Sequence, residues 1–336
     1  MASKQPSALA DIVPFAKSIE ATRLDSHTYA VNLQACYTIG TVPNGGYVCC
    51  TLLQAAHVHL SPHNQPDTVT AHFEFLNRSE TGPAVVIVED IKLGRSLSVL
   101  HVTLYQRGLL PHAPWITPGT SRREVAAYVT NGNIASERGV SLTTSFLSPP
   151  VPATLPVDLP SLAKGQDKLW HRMDLPVTPF GRSRSLENVE YYSPRAGQPN
   201  PDRIDIWMRL AAGGGFTNAS LAYVVDAWPY VIEQYRPKSP GTVPFPHDVP
   251  FWYPTVALNL EVKKALPAEG VEWLFMRETA KMIRNGRFDL EVTVLDAKGE
   301  LVAVATHVAM IVGAERNHAA RSDGKGKEKG NGKGKL

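Results

Sequence analysis

The stretch Asn218-Ala-Ser-Leu-Ala-Tyr-Val-Val-Asp226-Ala-Trp-Pro-Tyr230 follows the glycine run 213–215 and decides how the rest of the chain is interpreted. Its apolar side chains recur with the i, i+3, i+4, i+7 spacing of a buried helical face: Leu221, Val224, Val225, Trp228 and Ile232. The stretch therefore predicts a largely apolar helix. Asp226 lies off that face, and a carboxylate is costly to bury unless a partner satisfies it. It is either a buried catalytic carboxylate or a partly exposed aspartate near a helix end.

The chain around this stretch shows the same order of features twice. In the second half, the helical stretch is followed by strand-like runs at 255–262, 271–283, 287–295 and 301–312. In the first half, Gly45 and Gly46 precede an apolar helical run at 47–60, followed by strand-like runs at 68–76, 84–92, 96–106 and 124–130. The segment 67–75 aligns with 254–262 at an offset of 187 residues (254 − 67). A helix followed by antiparallel strands, occurring twice, predicts a tandem α+β fold rather than alternating βαβ units.

Composition shifts predict the domain boundaries. An N-terminal unit is expected over 1–146, a proline-rich linker over 147–169, a C-terminal unit over 170–313 and a disordered basic tail over 314–336. The tail from Arg316 onward carries seven Lys or Arg and two Asp or Glu, which leaves a net charge of about −2 (3 − 5) for residues 1–315. A slightly acidic fold disfavours nucleic-acid binding, which needs a basic face.

The three cysteines are Cys36, Cys49 and Cys50, with no CxxC pair, which is typical of unpaired thiols in a reducing compartment. We find no secretory signal and no run of the ~18 apolar residues that a membrane span needs. The sequence therefore predicts an intracellular protein, cytoplasmic or peroxisomal. The last three residues, Gly-Lys-Leu336, match a small-basic-Leu peroxisomal address only in part.

Two further residues could share chemistry with Asp226. Thr255 opens the run 255–262 and gives its polar face a hydroxyl at one end, since side chains alternate along a strand. His307 alternates in the last run with three alanines, Ala303, Ala305 and Ala309, which leave room beside the imidazole. The alternative for His307 is a core histidine satisfied by a backbone carbonyl. A carboxylate, a hydroxyl and an imidazole together suit the activation of water against a carbonyl.

Other constellations are weaker. His57 and His59 are two residues apart on a predicted helix and point in different directions, while His63, His101, His112 and His247 lack ligand spacing, so no metal is expected. No G-x-S-x-G motif is present, which disfavours a serine hydrolase. No GxGxxG motif follows a strand, which disfavours a dinucleotide fold, and no cofactor is expected.

Taken together, these landmarks resemble the double hot-dog acyl-CoA thioesterases, the bacterial type II enzymes and their peroxisomal relatives, over roughly residues 25–312. Leu221-Ala-Tyr-Val-Val-Asp226 is similar to the family's helix motif that ends in the catalytic aspartate. Tyr253-Pro-Thr255 is similar to its catalytic threonine strand, and the run ending at His307 to its final strand, where the family usually has a glutamine. Thr70-Ala-His72 and Gly45-Gly46-Tyr47 are similar to the family's His-containing strand and helix start.

The resemblance implies a fold, a reaction and roles for these residues. The fold would be a double hot-dog, each half a long helix wrapped by an antiparallel sheet. Asp226 and His307 would orient and deprotonate water, and Thr255 would fix it. Backbone amides near Gly45 and Gly46 would hold the oxyanion, and His72 would lie at the substrate site. Because a histidine titrates where a glutamine does not, His307 could share the role of base.

We therefore expect a thioester hydrolase that converts acyl-CoA to free acid and CoA. Two alternatives stay open: a hot-dog dehydratase or accessory enzyme acting on polyketide-like thioesters, and a non-catalytic acyl-CoA-binding protein. The partner is an acyl thioester, without nucleic acid or a membrane span, and a homo-oligomer is possible. The Pro- and Gly-rich insertion at 107–119 is a candidate for reshaping the acyl channel.

Overall fold

The computed structural model of this 336-residue chain describes residues 12–142, 144, 146, 154–175, 177–178, 181–228, 231–236 and 249–318. His247, the C-terminal tripeptide and part of the predicted linker lie outside these ranges. Within the described part of the linker, Asp158 caps a short helix by accepting a hydrogen bond from the amide of Ser161.

The N-terminal half contains eight strands: β1 (Thr22–Arg23), β2 (Thr28–Leu33), β3 (Thr38–Ile39), β4 (Val42–Pro43), β5 (Asp67–Phe75), β6 (Gly82–Lys92), β7 (Ser98–Gln106) and β8 (Arg122–Gly132). Its helices are α1 (Phe15–Ser18) and α2 (Gly45–Leu60), with 3-10 turns at Ala35–Tyr37, Ser61–His63 and Ile134–Ser136. The predicted helix and the four long strands after it are confirmed, with ends shifted by a few residues.

The C-terminal half contributes twelve described strands: β9 (Trp170–Arg172), β10 (Val177–Thr178), β11 (Gly181–Arg182), β12 (Val189–Pro194), β13 (Arg203–Leu210), β14 (Phe251–Trp252), β15 (Thr255–Val262), β16 (Leu274–Thr279), β17 (Ile283–Arg284), β18 (Arg287–Asp296), β19 (Leu301–Met310) and β20 (Val312–Gly313). Its helices are α3 (Leu159–Ala163), α4 (Arg184–Glu187), α5 (Leu221–Val225) and α6 (Glu315–His318), with 3-10 turns at Asn218–Ser220 and Val231–Tyr235.

One antiparallel sheet of 14 strands runs through the described residues, in the order β1-β2-β6-β7-β8-β5-β15-β19-β18-β16-β13-β12-β9, with β17 paired to β18. Strands β5 and β15 join the two halves. Counted outward from that junction, β5-β8-β7-β6-β2 corresponds to β15-β19-β18-β16-β13, so both halves have the same strand order. The junction pairs His72 with Asn259, two residues that are also separated by the repeat offset of 187 (259 − 72). A pseudo-two-fold axis therefore passes through this pair.

Helix α2 lies against the sheet of the N-terminal half. Asn44 caps its start by accepting the amide of Tyr47 at 2.9 Å. Its sequence is apolar on nearly every side, and twelve of its residues are buried, as expected for a helix enclosed by other elements.

The second helix is much shorter than predicted. The apolar spacing predicts a helix that continues through Trp228 to Ile232, but α5 ends at Val225 and Asp226 takes a non-helical φ of −115°. Proline disfavours a helical conformation at the residue before it, so Pro229 explains why Trp228 does not continue the helix. Leu221, Val224 and Val225 are buried on α5 as predicted, while Trp228 and Ile232 are buried beyond its end, where the chain no longer continues that helix.

The start of α2 packs against α5 at very short range. A Cβ atom at position 46 would lie 2.2 Å from the carbonyl oxygen of Ala222 and 2.7 Å from the Cβ atom of Asp226. No side chain fits there without moving the backbone, so Gly46 permits this contact between the halves.

The first residues after 313 have regular structure. Helix α6 places the buried Asn317 against the N-terminal half, where its side chain accepts from the amide of Thr41 at 3.0 Å and donates to the carbonyl of Ile39 at 3.0 Å. The described chain thus stays folded for five residues beyond the predicted boundary at 313.

We expect Gly46→Ala to lower the free energy of unfolding by about 2 kcal/mol or more, because the added methyl group overpacks a backbone contact. Urea unfolding followed by circular dichroism measures this change. Gly132→Ala is the matched control: its methyl group would lie 2.8 Å from the end of the flexible Leu97 side chain and no closer than 3.3 Å to a backbone atom, the carbonyl oxygen of Ser96. Equal stability of the two variants would contradict the required close approach.

Candidate functional site

Asp226 lies at the end of α5 with 3% of its surface exposed. One carboxylate oxygen, Oδ2, accepts the amide of Gly46 at 2.7 Å and the side-chain amide of Asn44 at 3.2 Å. Asn44 also donates to the backbone carbonyl of Asp226 at 3.1 Å. The carboxylate of the C-terminal half is therefore held by the first residues of the helix in the N-terminal half.

The second oxygen, Oδ1, faces the other two predicted residues. It accepts the hydroxyl of Thr255 at 3.2 Å, and Nδ1 of His307 lies 3.6 Å away. The structure thus brings the three predicted catalytic residues together, and Asp226 is buried rather than exposed at the helix end.

Thr255 reaches this position through an irregularity that simple alternation does not predict. The pairing of β15 with β19 shifts register between Thr255 and Ala257. Such a bulge re-aims a side chain, and Thr255 turns toward Asp226 while the next residue, Val256, is exposed. The repeat-equivalent strand β5 shifts register between Thr68 and Thr70, which are the same positions at an offset of 187.

His307 lies on the core face of β19, with 2% of its surface exposed. Neither ring nitrogen hydrogen bonds to any atom of the described residues. The alternative expectation, a core histidine satisfied by a backbone carbonyl, does not match this placement. Its repeat equivalent on β8 is Val129, since Val129 pairs with Ala71 as His307 pairs with Leu258. The N-terminal half therefore lacks the imidazole.

Burial sets the protonation of both groups. Desolvation raises the pKa of Asp226 from 3.8 to about 6, although hydrogen bonds from Gly46, Thr255 and Asn44 oppose that shift. Desolvation lowers the pKa of His307 from 6.5 to about 4. At 3.6 Å the two groups are close enough for an ion pair. They are instead a carboxylate beside a neutral imidazole, because protonation of a fully buried histidine without a hydrogen-bond partner carries the full desolvation penalty.

Glu278 is a third ionisable group that sequence reasoning missed. It lies on the core face of β16, fully buried, and neither carboxyl oxygen hydrogen bonds to any described atom. Burial, and then the nearby charge of Asp226, raise its pKa well above 4.5. Alternation along 274–280 could have indicated that Glu278 is buried, because Leu274, Met276 and Ala280 lie on the same face of the strand.

A cavity of about 620 Å³ opens onto the carboxylate between the two halves. The lining includes Gly45, Asn44, Asp226 and Thr255 at the polar end. Apolar side chains, among them Phe75, Trp252 and Val48, and the arginines 78, 122 and 316 complete it. His307 and Gly46 do not line the cavity. They contact Asp226 on its buried side, Gly46 through a hydrogen bond and His307 at 3.6 Å.

Two expectations about the surroundings find no support in this geometry. His72 lies on the outer face of the sheet, 44% exposed, where it contacts Asn259 at 2.6 Å and Glu74 at 3.1 Å, and it does not line the cavity. No residue of the insertion 107–119 lines the cavity either. Instead the indole of Trp115 donates to Asp25 at 2.6 Å, beside the turn before β2. Asn44, a helix cap in the turn before Gly45, is a site residue that its capping position alone could have indicated.

Chemically, the arrangement suits a general base at the end of a cavity. A buried carboxylate with a pKa near 6 can accept a proton from water at neutral pH, and the adjacent hydroxyl can position that water. Among the described residues, the group of side chains with metal-ligand spacing lies elsewhere, at His27, His59 and Asp90. No described helix is long and apolar enough to cross a membrane.

Comparison with known proteins relates the whole chain to one family. Residues 33–132 match the model of the acyl-CoA thioesterase N-terminal domain, and residues 156–311 match that of the acyl-CoA thioesterase C-terminal domain. The thioesterase-like protein TwmA of Talaromyces wortmannii is 43% identical over 335 residues, covering 92% of this chain and 94% of that protein.

Solved structures agree in fold. A candidate thioesterase II from Thermobifida fusca superposes with a TM-score of 0.65 at 24% identity, covering 89% of this chain and 97% of its own. A hot-dog protein of unknown function from Alicyclobacillus acidocaldarius also gives 0.65, at 19% identity and with the same coverage of both chains. The two domain models and the TwmA relationship confirm the resemblance stated from the sequence. This chain therefore belongs to the acyl-CoA thioesterase family and has the hot-dog fold.

Proposed function

We propose that this chain hydrolyses an acyl thioester of the acyl-CoA class to a free acid and a thiol. The observation that carries the proposal is the buried Asp226 carboxylate, 3.2 Å from the Thr255 hydroxyl, at the polar end of the cavity. We further infer that the two halves are two hot-dog units, although only the N-terminal one has a long helix. The shared strand order and the separate N- and C-terminal domain matches support this arrangement.

The reaction needs one proton acceptor. A water molecule bound between Oδ1 of Asp226 and the Thr255 hydroxyl loses a proton to the carboxylate as its oxygen attacks the thioester carbonyl carbon. The tetrahedral intermediate then collapses, the C–S bond breaks, and the departing sulfur takes the proton back from Asp226. The products are the free acid and the thiol, and the carboxylate is restored.

The oxyanion has a donor at the start of α2. The amide of Gly46 is already used by Asp226, so it cannot also serve the substrate. Gly45 lines the cavity one residue earlier, where helix amides point outward and the helix dipole favours negative charge. We therefore assign the oxyanion role to the Gly45 amide, where one such donor is worth about 3 kcal/mol of transition-state stabilisation.

His307 acts as a positioning residue in this scheme. It is neutral at neutral pH, and its conjugate acid is stronger than that of Asp226 by about two pKa units. A shared base role is therefore disfavoured, and the imidazole acts in the manner of the family's glutamine, as a neutral polar group beside the carboxylate. The raised pKa of Glu278 favours its neutral form beside Asp226.

The rest of the cavity suits a thioester of coenzyme A. The apolar lining accommodates an acyl group, while Arg78, Arg122 and Arg316 offer positive charge to phosphates. Arg122 is partly neutralised by Glu124 at 2.9 Å.

Thiol release from a panel of acyl-CoA thioesters, from acetyl to palmitoyl, tests the reaction. We expect Asp226→Asn to lower kcat/KM about 10²–10⁴-fold, the usual worth of a general base. Thr255→Val should lower it about 10-fold or more, because a hydrogen bond to a charged group is lost. Thr68→Val is the matched control, since Thr68 is the repeat equivalent of Thr255 and contacts Asn131 instead.

The outcomes of this assay are distinct. No thiol release from any thioester would overturn hydrolysis and favour a non-catalytic binder if the thioesters still bind. Thiol release that is unchanged in Asp226→Asn would support hydrolysis but contradict the assignment of Asp226 as the base.

The pH dependence of kcat/KM identifies the base. We expect activity to rise with pH through an apparent pKa near 6, because Asp226 must be ionised to accept a proton. His307→Gln should keep that rising limb near 6. A limb that disappears in His307→Gln would identify the imidazole as the base instead.

Stability should show the same two titrations with opposite signs. Asp226 binds its proton more tightly in the folded state (pKa about 6 against 3.8), so its contribution is lost as pH rises through about 6. His307 binds its proton less tightly when folded (about 4 against 6.5), so its contribution is lost as pH falls through about 4. Each shift corresponds to about 3 kcal/mol, and between pH 4 and 6 the two nearly cancel.

Single variants should reveal the separate contributions of Asp226 and His307 to the pH dependence of stability. Relative to wild type, Asp226→Asn should gain stability as pH rises from 4 to 6.5, and His307→Gln should lose it over the same range. Urea unfolding at several pH values in this window measures both differences. Parallel profiles for the two variants would show that the groups are not desolvated as described.

A further inference from the structure

A second cluster of titratable side chains lies in the N-terminal half, away from the cavity. His27 sits in the turn before β2, His59 in the last turn of α2, and Asp90 on β6. None of the three lines the cavity around Asp226. They are far apart in sequence, so no local motif connects them.

Their donor atoms converge. Nε2 of His59 lies 2.8 Å from Oδ1 of Asp90, and Nε2 of His27 lies 3.2 Å from Oδ2 of the same carboxylate. One ligand atom from each residue can be chosen so that all lie within 4.8 Å of one another. Tetrahedral zinc, with ligand bonds of about 2.0–2.2 Å, holds its ligands about 3.3 Å apart. Small side-chain movements would bring the three donors to that spacing.

Both imidazoles are oriented by partners on their other nitrogen. Nδ1 of His59 contacts the hydroxyl of the fully buried Tyr29 at 3.0 Å, and that hydroxyl accepts from Arg23 at 3.2 Å. Nδ1 of His27 contacts the hydroxyl of Ser26 at 2.8 Å. In the tautomer that carries its proton on Nδ1, each imidazole donates to its hydroxyl partner and turns its Nε2 lone pair toward Asp90, which is the form that a bound metal ion would select. This arrangement of outer partners is typical of histidine metal ligands.

Charge and exposure also suit a cation. The Asp90 carboxylate, in contact with both imidazoles, supplies the negative charge of the cluster. The side chain of His59 is 8% exposed, that of Asp90 28% and that of His27 46%. One side of the cluster therefore faces water, which can supply the remaining ligand and a path for the ion. Two imidazoles and one carboxylate favour zinc-like transition metals over magnesium or calcium.

We propose that His27, His59 and Asp90 bind a divalent transition-metal ion of the zinc class, with solvent completing the coordination. The ion links the end of α2 to the sheet and to the turn before β2. From the sequence no metal is expected at His59, because the nearby His57 points in a different direction on the predicted helix. The partners of His59 instead come from positions 32 residues before and 31 residues after it.

Zinc titration of the untagged, full-length chain tests the site. After removal of metal with EDTA, isothermal titration calorimetry at pH 7.5 should show one saturable site, and zinc should raise the melting temperature. His27→Ala should weaken zinc binding at least about 10-fold, since loss even of an outer partner costs that much. Binding should also weaken at pH 5.5, where protons compete for the imidazoles.

His101→Ala is the matched control. His101 also contacts a carboxylate of β6, Glu89 at 3.5 Å, but belongs to no group of three ligands. It should leave the affinity for zinc unchanged, and magnesium should not compete. No saturable zinc binding, or equal affinity in wild type and His27→Ala, would overturn the proposal and identify the cluster as an ion-paired network only. These readouts are independent of thioester hydrolysis.

Discussion

The hydrogen bond from the Gly46 amide to the Asp226 carboxylate, at 2.7 Å, is the contact on which the rest of the arrangement depends. It joins the first turn of α2 to the end of α5 and fixes one carboxylate oxygen, so that the other faces Thr255 and the cavity. The contact forms only because position 46 lacks a side chain. A single glycine therefore governs both the approach of the two halves and the orientation of the Asp226 carboxylate.

The same contact places the carboxylate in a region where charge is expensive. Asp226, His307 and Glu278 are all buried, and desolvation moves each of them toward its neutral form. Asp226 alone receives hydrogen bonds that stabilise its charged form, from Gly46, Asn44 and Thr255. Among the described residues, the difference in hydrogen-bond partners gives Asp226 the best-stabilised charged form of the three.

Much of the fold could be predicted from the sequence because strand alternation and an internal repeat are both local or periodic signals. The succession of a helix and strands in each half followed from these signals, whereas the grouping of Asp226, Thr255 and His307 followed from their chemistry and from the family resemblance. The length of α5 did not follow, because apolar spacing continues through Trp228 while the backbone leaves the helix at Asp226. The bulge that turns Thr255 toward the site did not follow either, because alternation places it on the other face. His72 was predicted at the site from the family pattern, but in this fold it pairs with Asn259 at the outer face of the junction.

The way the site is divided between the halves has a consequence for biosynthesis. Gly46 and Asp226 are separated by 180 residues, and β5 pairs with β15 across a similar distance. During translation the first half emerges with the edge of β5 unpaired, until the strand that covers it has been made. Loops of this length close late because their entropic cost precedes any contact energy. The site around the Asp226 carboxylate is therefore assembled among the last events of folding, and the proposed hydrolytic activity would report completed docking of the halves rather than the folding of either one.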